Sequence, residues 1–82
     1  MPYYFVFWNT DPGENVDKIG QHGLTIDDVE YVLFNPEDSG ISRSSGRPFA
    51  KGTTPGGDYI IVIYEMIDED TLNPITAYHI DE

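Results

Sequence analysis

The sequence predicts an α+β domain: an antiparallel sheet of about four strands with two short helices packed on one face, in the order β-α-α-(β)-β-β-β. Three observations carry this. The run Tyr59-Ile60-Ile61-Val62-Ile63-Tyr64-Glu65-Met66-Ile67 is the longest apolar stretch, and it is rich in the β-branched and aromatic residues that suit a pleated, buried surface. Helix start and stop signals fall early in the chain, between Asp11 and Pro36. Strand-and-turn signals fall late, at intervals that suit a meander.

Residues 3–8, Tyr-Tyr-Phe-Val-Phe-Trp, are β-branched or aromatic throughout and run into Asn9-Thr10-Asp11-Pro12-Gly13, so they read as a first strand followed by a turn. Asp11 as N-cap, Pro12 at N1 and Glu14 at N3 then predict a short helix through Val16 and Ile19 to about Gln21. Gly23 supplies a left-handed position to end it. Thr25 opens a second helix with Asp28 as the capping-box acid, and Leu24 and Val29 form a hydrophobic staple. Ile26, Val29, Val32 and Leu33 recur at helical spacing, and Pro36 stops the helix after about Asn35.

From Glu37 to Gly46 the chain is polar and small, which supports a loop or a short edge strand around Ile41 to Arg43. Arg47 to Thr53 reads as a strand, joined through Thr54-Pro55-Gly56-Gly57 to the central one. Pro at i+1 and Gly at i+2 suggest a type II turn. In the central run, alternation puts Ile60, Val62, Tyr64 and Met66 on one face. Tyr59, Ile61, Ile63 and Ile67 lie on the other, where Glu65 is the only polar member. Asp68 to Pro74 turns the chain, and Ile75 to Ile80 closes the sheet antiparallel to its neighbour.

At 82 residues the chain is sized for one domain, which buries roughly 60% of its unfolded surface. It has no cysteine, so neither a disulfide framework nor a thiolate metal site is expected, and no apolar run reaches the ~18 residues of a membrane span. A soluble, cytoplasmic protein is the expectation. Fifteen Asp and Glu against four Lys and Arg give a formal net charge of −11, which repels phosphate backbones and favours basic partners. Arg43, Arg47 and Lys51 nevertheless cluster, leaving Lys18 as the one other basic side chain.

The short helix ending in His22-Gly23, the capped segment Leu24-Thr25-Ile26-Asp27-Asp28-Val29-Glu30, the polar loop ending in Arg47, Gly52-Thr53 before an apolar strand, and the closing Thr76-Ala77-Tyr78 resemble the BrnT family. That family belongs to the RelE-like toxins of bacterial type II toxin–antitoxin systems. The resemblance covers nearly the whole chain. It implies a RelE/BrnT-like fold and a small ribonuclease held inactive by an antitoxin, usually a basic protein that also binds DNA. Gln21 stands where the family usually has a basic residue before the His-Gly, and Asp58 where it has an Arg after the hairpin glycine. Asp81 and Glu82 replace the arginines that tend to follow the closing strand. Each departure replaces positive charge.

Cutting RNA in this manner requires cations to stabilise charge on the phosphate and groups to move protons. Arg43, Arg47 and Lys51 are the candidate phosphate clamps, with His22, His79 or Tyr78 for proton transfer. The alternatives are structural: His22 as a helix cap, and the three cations paired with neighbouring carboxylates. Asp68-Glu69-Asp70 does not continue as a calcium loop, because Leu72, Asn73 and His79 stand where a ligand, a glycine and a bidentate Glu are needed, so a solvated turn is expected. Tyr3, Tyr4, Phe5, Phe7 and Trp8 could stack bases, but the surrounding charge favours a core role. No cofactor motif occurs.

Two functions from different classes follow. One is a BrnT-like endoribonuclease. The other is a non-catalytic acidic module that keeps the fold and binds a basic partner or itself. The second draws on the sheet: two helices cover one face, while Tyr59, Ile61, Ile63 and alternate aromatics from 3–8 would leave an apolar patch for a basic antitoxin or a homodimer to cover.

Overall fold

A computed structural model describes residues 5–80 of the chain. Its elements are β1 (Phe5–Val6), α1 (Asn15–Gln21), α2 (Ile26–Phe34), β2 (Asp38–Ile41), β3 (Pro48–Thr53), β4 (Tyr59–Met66) and β5 (Thr71–His79). The strands form one sheet in the order β1-β5-β4-β3-β2, so the apolar run 59–66 is its middle strand. The α+β class holds, with two corrections. The sheet has five strands where about four were expected, and it is mixed, because β1 runs parallel to β5 through Phe5 opposite Thr71 and Val6 opposite Leu72. Phe5 N–H donates to Asp70 O and Phe7 N–H to Leu72 O, both at 2.7 Å, extending this ladder past the two strand residues. Tyr3 and Tyr4 lie outside the described residues.

The second helix forms as its sequence dictates. Thr25 Oγ1 accepts the Asp28 N–H at 3.2 Å while the Asp28 carboxylate accepts the Thr25 N–H at 3.1 Å, a reciprocal capping box. Helix α1 departs from expectation. Glu14, not Asp11, is its N-cap residue, because Gly13 adopts φ +80° and breaks the right-handed path that Pro12 would have begun. The Asp17 carboxylate instead accepts the Gly13 N–H at 2.8 Å. The other end is a Schellman cap, with Gly23 at φ +77°, its N–H on Gly20 O and the Leu24 N–H on Ile19 O, both at 3.0 Å. Ile19 and Leu24, brought together by that cap, are both buried.

Three further expectations shift. The edge strand is Asp38–Ile41, earlier than Ile41 to Arg43, and Arg43 falls in the turn after it. The β3–β4 turn is not type II. Gly57 N–H donates to Thr54 O at 2.9 Å, yet the left-handed residue is Gly57 at φ +94° rather than Gly56, which is the pattern of a type I turn followed by a glycine bulge. Strand β5 begins at Thr71, before Pro74 rather than after it. Tyr64 pairs with Pro74 and Ile63 with Thr76, so Ile75 is the extra residue of a bulge, and a proline is tolerated where the ladder is already interrupted.

Both helices contribute to one core. Ile19, Leu24, Val29 and Val32 pack with Ala50, Ile60, Val62 and Ala77, and Trp8, Ile26, Leu33 and Tyr64 close over them. Trp8 Nε1 also donates to Glu30 at 2.9 Å, tying the segment after β1 to α2. A core role therefore holds for Trp8, whereas Phe5 and Phe7 are exposed. No helix among the described residues is long and apolar enough to cross a membrane.

Candidate functional site

Register places the side chains of the uncovered face in rows. Strand partners share a face, so Asp38, Lys51, Ile61 and Tyr78 form one row across β2 to β5, and Gly40, Phe49, Ile63 and Thr76 form the next. Glu65 and Asn73 continue the series. Continuing the β3–β4 register two pairs beyond Phe49 and Ile63 brings Arg47 opposite Glu65, and their side chains meet there, Arg47 Nε lying 3.8 Å from Glu65 Oε2. The opposite parity, Ala50, Ile60, Val62 and Ala77, is the helix-covered core.

No described element covers this second face, and its residues partly cover one another. Phe49 leans over Gly40, where an added Cβ would meet its ring carbons at 3.1–3.2 Å, so a side chain at position 40 would displace the ring. Lys51 Nζ in turn sits 5.3 Å from the centre of the Phe49 ring, a cation–π contact. Ile61 is 9% exposed, Tyr59 and Ile63 are half-buried and Tyr78 is 38% exposed. Phe5 and Ile67, at the end of the sheet where β1 joins, are the most open apolar groups on this side.

The five candidate residues divide. Lys51 projects from β3 onto the open face, and Arg47, the residue before β3, reaches Glu65 on it. His22 is the C-cap residue of α1, and its ring lies 6.1 Å from that of Tyr78 at a tilt of 51°, so it borders the same face at the β5 edge. His79 pairs with Ile60 and therefore has the parity of the covered face, at the exposed end of β5. Arg43 stands in the β2–β3 turn, exposed, beyond the sheet. Lys51 and Tyr78 are two strands apart, roughly 10 Å between backbones, so Lys51 and His22 flank the apolar centre from opposite sides. The geometry is a face with polar margins, not a cleft in which cations and proton carriers converge.

Sequence reasoning missed the polar thread that runs from Glu65 through Asn73 to Asn15. Glu65 Oε1 accepts from Asn73 Nδ2 at 3.1 Å, Asn73 Oδ1 accepts from Asn15 Nδ2 at 3.3 Å, and Asn15 also donates to Phe7 O at 2.7 Å and accepts the Asn9 N–H at 2.8 Å. Asn15 is 6% exposed, and a small polar cavity of about 80 Å³ beside it is lined by Asn9, Lys18 and Asn73 among others. Counting outward from the Thr54–Asp58 turn would have paired Arg47 with Glu65; nothing local signals the burial of Asn15. The acidic turn behaves as a turn: Asp68 Oδ1 accepts the Asp70 N–H at 3.1 Å, and that backbone hydrogen bond, aided by side-chain hydrogen bonds from Asp70 and Thr71, holds its carboxyl below the ordinary value. Comparison with family models, with curated proteins and with solved structures finds no match.

Proposed function

We propose that this protein is a binding module that docks a protein through the uncovered face of its sheet, and that it is not built for catalysis. One observation carries this reading: the face without helices presents Phe49, Ile61, Ile63 and Tyr78 in two adjacent rows, while the cations a ribonuclease would need are spread apart, Arg47 beside Glu65 and Lys51 over the Phe49 ring. Proximity and orientation supply much of an enzyme's rate, and His79 and Arg43 do not converge with the others on one reacting atom. A net charge of −11 further opposes a polyanionic substrate.

A second reading, a BrnT-like ribonuclease toxin, draws support from His22 standing against Tyr78 on the border of the face that carries Lys51 and Arg47. Induction in cells separates the two. The docking reading expects unchanged growth, intact cellular RNA, and binding of a hydrophobic dye to the folded protein that Ile63→Asp weakens. Growth arrest abolished by Arg47→Ala, with the fold retained, would decide for the ribonuclease. So would a basic ribbon-helix-helix antitoxin encoded beside the gene and neutralising that arrest.

A further inference from the structure

We infer that the occupant of the open sheet face is a second copy of this chain, an inference that rests on reading the face as a protein-docking surface. Charge distribution selects the occupant. Within the face, Arg47 lies beside Glu65, and Lys51 stands opposite Asp38 in the register, with Glu37 at the rim accepting the Thr53 hydroxyl, so positive and negative groups nearly cancel. The acidic excess lies elsewhere: Glu14, Asp17, Asp27, Asp28 and Glu30 on or at the ends of the helices, and Asp68 to Asp70 in the β4–β5 turn. A strongly basic partner would be drawn to those surfaces. The open face instead combines apolar rows with both signs of charge, so a symmetric copy brings carboxylates to Arg47 and Lys51 and cations to Glu65 and Asp38.

Sheet continuation is the competing way to pair two copies, and the β2 edge is blunted against it. The Ser42 N–H donates to Arg47 O, so alternation turns the Ser39 N–H away from β3, and there the Asp38 carboxylate already accepts it at 2.9 Å. Stacking of two open faces leaves that cap in place. It also buries Ile63 and Tyr78 of both copies and keeps the acidic helices on the outer surfaces of the dimer, where their repulsion is weakest.

Sedimentation velocity tests this with the full chain over a concentration series and from ~0.02 to ~0.5 M salt, across which the Debye length falls from ~20 to ~4 Å. A dimer that tightens as salt rises is expected, because screening removes the repulsion between two acidic molecules while apolar burial persists. Ile63→Asp and Tyr78→Asp should each raise the dimer dissociation constant ~10-fold or more, whereas Tyr31→Asp, on the exposed side of α2, should leave it unchanged; circular dichroism confirms that each variant is folded. Tyr78 is exposed enough that its variant tests the inference even if Ile63→Asp unfolds. A monomer at every salt and concentration, a dimer that weakens with salt, or one indifferent to both face variants overturns the inference. The docking reading is then tested separately, by titrating the monomer with a Leu-rich amphipathic peptide whose Lys and Glu residues balance to no net charge. Chemical-shift changes confined to Ile61, Ile63 and Tyr78 would keep it while ruling out self-association. Their absence would overturn both.

Discussion

Asn15 is a polar side chain that the fold has to satisfy completely. Its amide donates to Phe7 O and Asn73 Oδ1 and accepts from the Asn9 N–H, which binds the segment after β1, the start of α1 and the bulge end of β5 into one joint. Removing it leaves buried partners without hydrogen bonds, so Asn15→Ala should cost about 1–3 kcal/mol in a urea melt followed by Trp8 fluorescence. Asn15→Asp, although nearly the same shape, should be at least as damaging at neutral pH, because its carboxylate would face two acceptors. Asp68 makes a different prediction. Its carboxyl is held low in the folded state by the Asp70 N–H, so its contribution to stability is present above the ordinary Asp range and is lost as pH falls through the lowered folded value. Carbon-detected NMR should show Asp68 titrating below the ordinary Asp value, and Asp68→Asn should flatten the acid limb of the stability profile.

Among the elements, the middle strand and its turn make the sharpest claims. Ile60 is fully buried between the sheet and the helices, so Ile60→Ala should cost about 2–5 kcal/mol, a large part of the stability of so small a domain. The turn can be typed by substitution. With Gly57 left-handed and Gly56 not, Gly57→Ala should destabilise by roughly 1–2 kcal/mol while Gly56→Ala is tolerated; a type II turn would reverse the order. These elements also show what could be read from residue order. The Thr25–Asp28 box and the Gly23 cap were legible because their partners lie within a few residues. The strand at 59–66 was legible because its residues from Tyr59 to Tyr64 are β-branched or aromatic without a break. Parallel pairing of β1 with β5 was not, since it depends on a partner at the far end of the chain. Pro74 reads locally as a stop, and only the bulge at Ile75 lets it sit inside a strand. For the candidate site, alternation placed Ile61, Ile63 and Glu65 together on the uncovered face, but bringing His22 against Tyr78 required knowing where α1 packs.

Over the whole molecule, charge works against cohesion. Eleven uncompensated negative charges repel one another, so raising ionic strength should raise the melting temperature until screening is complete, a gain that a chain with balanced charge would not show. The parallel register of Phe5 with Thr71 has a further consequence, in time rather than in space. One edge of the sheet joins β1 to β5, a strand made after the other four, and the core joins Ile19 to Ala77. Contacts so distant in sequence are slow to close and give nothing until both ends exist. On the ribosome, α1, α2 and the β2–β3 hairpin must therefore wait as loosely ordered, strongly acidic chain, and the domain locks only when β5 emerges. A fragment ending at Asp70 should give a circular dichroism spectrum with little fixed structure and no cooperative melt, and nascent chains halted there should remain open to protease until the final strand is added.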